Sequence, residues 1–368
     1  MDTVEILRRL VAFDTTSHRS NLDLVNWAAD HLDNAGARVR LTSDASGEKA
    51  NILATIGPEG PGGIVLSGHT DVVPVDDQGW ASDPFQLASR DGRLHGRGAV
   101  DMKGFVAACL AAVPGWQARK LRRPIHLALS YDEEVGCLGV PLLIADMLAH
   151  CPSPALAIIG EPTQMRIGLS HRGFYGYRSV FHGRAAHSSD PRLGSSAIEP
   201  AAAFVAALAG FGRQDGRVAT TVNIGKIAGG SAINIVPERC EVVWEFRPPG
   251  EAAVDAVLAD VERFAAGLPP GVSVETVPLA RVLPLDCATD SPVVALTREF
   301  GGLWPPITMP FGTEAGFFQQ AGIPALVCGP GSIAQAHQPD EWIASAELVA
   351  ADRFLARIGS WTAEKGGV

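Results

Sequence analysis

His69, Asp71, Asp101, Glu133, Glu134, Glu161 and His337 are the residues of this chain whose types and placement suit chemistry. The apolar run ending at Ser67 leads into Gly68-His69-Thr70-Asp71, and Ile125 to Ser130 leads into Tyr131-Asp132-Glu133-Glu134. Ala155 to Ile159 leads into Gly160-Glu161-Pro162-Thr163, and Ala325 to Cys328 leads, through Gly329-Pro330-Gly331-Ser332, to His337. A fifth group, Gly98-Ala99-Val100-Asp101-Met102-Lys103-Gly104, sets an aspartate just before a helical stretch. Imidazole nitrogens and carboxylate oxygens gathered on one rim suit a pair of divalent metals, Zn²⁺ or a relative such as Co²⁺. Asp71 follows His69 closely enough to hold the second nitrogen of a ligating imidazole. Glu133 and Glu134 offer adjacent carboxylates whose side chains diverge, so one can bind metal while the other faces water as a general base. Singly, each of these residues reads as a hydrogen-bonded histidine or a solvated acid; the grouping carries the metal reading.

The elements that must position them alternate between helical and strand patterns. Helices are expected over Asp2 to Phe13 and Leu22 to Asn34, the second ended by Gly36. The runs Asn51 to Ile56, Gly63 to Ser67, Ile125 to Ser130 and Ala155 to Ile159 are short and apolar throughout, as strands buried on both faces are. A helix over about Gly104 to Ala112 separates two of them. The fold class expected is α/β with a mostly parallel twisted sheet, whose sites lie beyond the carboxyl ends of strands. From about Leu169 the texture changes. Tyr175 to Phe181 and Glu241 to Phe246 alternate apolar with polar, and helical stretches lie at Ile198 to Gly210 and Glu251 to Ala266. This predicts an inserted α+β unit, two helices on an open antiparallel sheet, at residues 169–280. It interrupts a catalytic domain of residues 1–168 and 281–368, which closes with a strand at Ala325 to Cys328 and a helix over Ser345 to Ile358.

Composition narrows the function classes. The 40 acidic residues exceed the 30 basic ones, giving a net charge of −10 and arguing against nucleic-acid binding. Hydrophobic residues make up 46% of the 368, enough for packed cores and against disorder. Six cysteines lie far apart with no C-x-x-C pair, which suits free thiols in a reducing, cytoplasmic compartment. The first ten residues lack the pattern of a signal peptide, and the longest apolar run, Ala201 to Phe211, is too short to cross a bilayer. Gly96-Arg97-Gly98 and Lys103 do not form a phosphate-binding G-x-x-x-x-G-K-[ST] loop.

In order, Ser67 to Pro74, Gly96-Arg97-Gly98 with Asp101 to Gly104, Asp132-Glu133-Glu134, Gly160 to Thr163, Gly183 to Ser189 and the C-terminal histidine are similar to the motifs of the dinuclear zinc amidohydrolases and peptidases, over nearly the whole chain. That resemblance implies one metal on His69, Asp101 and Glu161 and a second on Asp101, Glu134 and His337, with Asp101 bridging. It implies Glu133 as general base and a cis bond between Asp101 and Met102. It also implies a homodimer whose inserted lid carries His187 into the partner's site to hold an oxyanion, and Asn234 and Arg247 to grip a substrate carboxylate. Asp101 to Phe105 and Gly329 to Glu341 look most like the branch that hydrolyses N-acetylated amino acids, N2-acetylornithine first. Gly312-Thr313-Glu314-Ala315 would then line the pocket, with Thr313 touching substrate and Glu314 facing its ammonium. His171 is given no catalytic role. The rival readings are a desuccinylase or other acyl-amino-acid deacylase, a carboxypeptidase or dipeptidase with the same metals, and a non-catalytic dimer that would have lost a ligand.

Overall fold

The computed structural model describes residues 1–211 and 220–364. The chain divides into two units. The first holds Met1–Ser170, Leu285–Met309 and the chain from Thr313 onward; the second holds His171–Pro284 and Pro310–Gly312.

In the first unit the strands that the sequence marks as apolar throughout are buried along their whole length: Ala50–Ile56, Ile64–His69, Ile125–Ser130, Leu156–Pro162 and Ala325–Gly329. Four of them form the parallel heart of a nine-stranded sheet, in the order Ile125–Ser130, Ile64–His69, Leu156–Pro162, Ala325–Gly329. Helices cover such strands on both faces, which is why they show no polar alternation. The flanks are antiparallel: Arg38–Ser43 pairs Ala50–Ile56, which pairs Ile125–Ser130, and Arg166–His171 runs against Ala325–Gly329. Two strands run further than their apolar stretches suggest, so that His69 and Glu161 lie inside strands rather than after them.

Close packing at the sheet's carboxyl end needs glycine. A Cβ on Gly160 would stand 2.0 Å from the Phe105 ring, and one on Gly329 would stand 2.0 Å from the Gly160 carbonyl. The helix Lys103–Gln117 is buried on nearly all sides and sets Asp101 just ahead of its first turn. The bond from Asp101 to Met102 is cis. A small sheet of Ala88–Arg90, Arg93–His95 and Trp342–Ala344 joins the segment before Asp101 to the segment after His337, pairing His95 with Trp342.

The second unit is an antiparallel sheet in the order Thr221–Gly229, Arg239–Arg247, Phe174–His182, Ser273–Val282, with helices Ile198–Leu208 and Glu251–Ala266. Arg239–Arg247 alternates buried and half-buried residues, the pattern of a sheet packed on one face. Phe204 meets Trp244 edge-on at 5.7 Å and Phe264 at 5.1 Å, tying both helices to that face. No helix among the described residues is long and apolar enough to cross a membrane.

Candidate metal centre

The first unit gathers its chemistry where the parallel strands end. His69 closes its strand and is 1% exposed. Its Nδ1 lies 2.9 Å from the Asp71 carbonyl, so in the neutral ring that nitrogen carries the proton and Nε2 keeps a lone pair. Nε2 points to Asp101 Oδ1 at 3.1 Å and to Glu161 Oε1 at 3.7 Å. On the other side of Asp101, His337 Nε2 lies 3.3 Å from Oδ2 and 3.0 Å from Glu134 Oε2. The two trios that the family resemblance implies are thus adjacent, with one oxygen of Asp101 turned toward each imidazole. Ligands at about 2.0–2.2 Å from a tetrahedral ion stand roughly 3.3 Å from one another, and these contacts straddle that spacing.

The spacing fits metal, and so does the charge. His69, Glu133 and Glu161 each offer an atom within one 4.8 Å cluster, as do His69, Asp101 and Glu134. Burial, with the neighbouring Asp101 charge, pushes Glu134 up to about 7. Burial raises Glu161 well above the carboxylate range, again with Asp101 adding to it. Burial raises Glu133 as well; the nearby His69 opposes this, while Glu134, Glu314 and Asp101 reinforce it. His337 moves the other way in charge, held protonated up to about 10 by its hydrogen bonds to Asp101 and Glu134. Burial disfavours a charged His69, yet Asp101, Asp71 and Glu161 together hold it well above its ordinary value. Carboxylates packed this closely need positive charge among them, which two divalent metal ions would supply.

Asp71 stands behind the site. Its carboxylate accepts from Ser17 Oγ at 2.8 Å and from the backbone amides of Glu133 at 3.1 Å and Glu134 at 3.3 Å. Burial alone would raise its pKa, but His69, Ser17 and the Glu133 amide together lower it. One aspartate therefore fixes both the His69 turn and the Glu133-Glu134 backbone. Ser17 was not legible as its partner, since nothing in Thr15-Thr16-Ser17 marks one hydroxyl over another.

Glu314 is placed differently from the pocket-lining role expected of it. It is 1% exposed, and its carboxylate accepts from Ser67 Oγ at 3.2 Å and from Ser130 Oγ. Burial pushes it up to about 7, the Ser130 hydroxyl countering only in part. Both of its oxygens are thus engaged by strand hydroxyls. Thr313 is fully buried, and its hydroxyl accepts from the Ala315 amide at 3.1 Å, at the start of the helix Ala315–Gln320.

His187, Asn234 and Arg247 belong to the second unit. His187 is exposed, and its Nδ1 accepts from the Ser189 amide at 3.1 Å. The proton of the neutral ring therefore sits on Nε2, the outward donor. Asn234 is exposed next to the bridge between His187 and Ile235, and its carbonyl accepts from the Ser188 amide at 3.1 Å. Arg247 ends its strand with its guanidinium 4.8 Å from the centre of the Phe174 ring and 3.4 Å from the Glu245 carboxylate.

A mostly parallel α/β sheet whose strand ends hold imidazoles and carboxylates at metal-ligand spacing, with a further glutamate beside them, is the arrangement of a metal-dependent hydrolase. The model of peptidase family M20/M25/M40 matches residues 65–360, and the chain belongs to that family. An acetylornithine deacetylase of Pasteurella multocida is 36% identical, over 94% of this chain and 92% of its own. One from Myxococcus xanthus is 35% identical, over 97% of both chains. Among solved structures, an aminopeptidase from Bacillus cereus superposes with a TM-score of 0.76 at 20% identity, over 98% of each chain. A dinuclear metal-binding peptidase from Bacillus subtilis superposes with a TM-score of 0.71 at 15% identity, also over 98% of each.

Proposed function

We propose that this chain hydrolyses the amide of an N-acetylated amino acid, N2-acetylornithine foremost, to ornithine and acetate, as a step of arginine biosynthesis. The observation that carries the chemistry is Asp101, with one oxygen toward His69 and the other toward His337. The substrate rests on the relatives named acetylornithine deacetylase. His69, Asp101 and Glu161 would hold one ion and Asp101, Glu134 and His337 the other, with Zn²⁺ or Co²⁺ as the metal. Such ions polarise a carbonyl and make water acidic enough to attack at neutral pH.

The chain's own groups do the rest. Glu133, whose carboxylate buried surroundings make more basic, takes the proton of the attacking water and returns it to the departing amine. An amide leaves poorly without that proton. His187 donates from Nε2 to the developing oxyanion, the tautomer that Ser189 selects. Asn234 and Arg247 bind the substrate's carboxylate, and Asp71 keeps His69 and Glu133 in place. Residues 169–280 serve as the lid and the dimerisation surface of a homodimer. All six cysteines are free, which supports a reducing, cytoplasmic setting.

The test is hydrolysis by Zn²⁺- or Co²⁺-reconstituted protein of N2-acetylornithine, N-acetylcitrulline, N-acetylmethionine, N-succinyl-diaminopimelate and a dipeptide. Preference for acetylornithine, abolished by chelation, supports the assignment. A preference for the succinylated substrate or the dipeptide overturns it in favour of a sister activity.

A further inference from the structure

His69 and Glu161 reach the centre from inside buried strands, but His337 comes from a loop and Asp101 from a turn. His337 has a backbone φ of +63°, in the left-handed region that few non-glycine residues adopt. A buried ion pair lies behind the loop that carries it. Arg97 and Glu341 are each 1% exposed and meet at 2.7 Å. The other oxygen of Glu341 accepts from the backbone amides of Val100 at 2.9 Å and Asp101 at 3.2 Å. Arg97 Nη2 donates to Gln78 Oε1 at 2.6 Å, and Gln78 Nε2 in turn donates to the His337 carbonyl at 3.3 Å. Trp80 closes the arrangement, its ring 5.1 Å from the guanidinium and its Nε1 donating to Gln78 Oε1 at 3.1 Å.

We propose that Arg97, Glu341 and Gln78 form a clamp that positions the second metal, by locking the Asp101 turn to the His337 loop. The inference rests on the dinuclear reading above. A fork-shaped guanidinium is the group suited to this, because it grips a carboxylate and an amide oxygen from separate segments at once. None of the three side chains touches the ion. They are positioning residues, and their loss is felt by the ion whose ligands ride on loops. The first ion keeps His69 and Glu161, whose strands the clamp does not support, and shares only Asp101 with the second.

The experiment is a titration of the metal-free, full-length chain with Zn²⁺ against a chelating indicator, and with Co²⁺ followed by its visible absorption. Wild type, Glu341→Gln, Gln78→Leu and His337→Ala are compared, with His337→Ala marking the loss of the second ion alone. Gln78→Leu, which reaches only the His337 loop, is expected to weaken the second equivalent about 10–100-fold and to leave the first within about threefold, the scale seen for outer partners of metal ligands; Glu341→Gln, which also frees the shared Asp101 turn, is expected to weaken both, the second more than the first. Gln78 is only half-buried, so Gln78→Leu should keep the thermal midpoint of the metal-free protein and guards against misfolding as the cause. Equal weakening of both equivalents, or of neither, overturns the clamp. A wild-type chain that takes up fewer than two equivalents overturns the dinuclear reading and the clamp with it, a failure told apart because it shows in the wild type.

Discussion

Two histidines sit at opposite ends of one pair of parallel strands. His69 closes Ile64–His69, and His126 is the second residue of Ile125–Ser130, in register with Val65. Each is 1% exposed. At the carboxyl end, Asp101, Asp71 and Glu161 overcome burial and raise His69 well above its ordinary value. At the amino end, burial and the charge of Arg38 lower His126 to about 4; its Nδ1 meets Thr55 Oγ1 at 2.9 Å, and its Nε2 has no partner among the described residues. Equal burial with opposite outcome teaches that the sheet is not uniformly polar or apolar. The fold concentrates its carboxylates at one end, and only there can a buried imidazole carry charge or bind a cation.

The sharpest way to break that contrast is at the catalytic end. Glu133→Ala is expected to lower kcat about 10²–10⁴-fold while both metal equivalents still bind, as turnover and metal analysis would reveal. Loss of metal instead would make Glu133 a ligand rather than the base. The next effect is on binding: His69→Ala should abolish the first metal position and turnover together, whereas His126→Leu should leave turnover within about twofold in the same assay. Equal damage from the two would erase the distinction between the ends.

The third effect is on stability. Below about pH 6.5 the unfolded chain protonates this imidazole, while the folded chain refuses the proton until about pH 4. Stability should therefore fall as pH drops through that window, by up to about 3 kcal/mol from this ring. Urea unfolding at pH 4.5 and 7 should show a smaller difference in His126→Leu than in wild type; an unchanged difference would mean that the ring is charged in the fold. The smallest effect is expected at Glu314, held near neutral by burial between Ser67 and Ser130. Glu314→Gln should keep the preference for acetylornithine over acetylmethionine within about twofold and shift stability by only about 1 kcal/mol. A lost preference would put this carboxylate back in the substrate pocket.

The buried strands were legible because continuous apolar runs bounded by glycine and proline have few other uses; Ile125–Ser130 and the helices Leu22–Asn34 and Glu251–Ala266 fall where the pattern predicts them. The edges were not. Arg38–Ser43, Thr221–Gly229 and Ser273–Val282 are largely exposed, and their pairing comes from neighbours distant in sequence rather than from local preference. At the site, residue type and the order of motifs pointed to His69, Asp101, Glu134, Glu161 and His337, which the structure brings together. What spacing could not convey is which side chains support them. Glu341 and Arg97 are 244 residues apart, and Glu314 and Ser130 are 184 apart. Such pairs are set by three-dimensional packing, so Glu314 read as a partner for the substrate's ammonium, and its hydrogen bonds to Ser67 and Ser130 could not be read from the sequence.

The centre is also staggered in time. Strand Leu156–Pro162 pairs with Ile64–His69 on one side and with Ala325–Gly329 on the other. A ribosome making roughly 5–20 residues per second delivers His337 about ten to thirty-five seconds after Glu161. During that interval the nascent chain holds every group of the first trio but lacks the second imidazole and the strand that completes the parallel core. The newborn protein thus passes through a stage in which every residue proposed for the first ion has been made and His337, proposed for the second, has not.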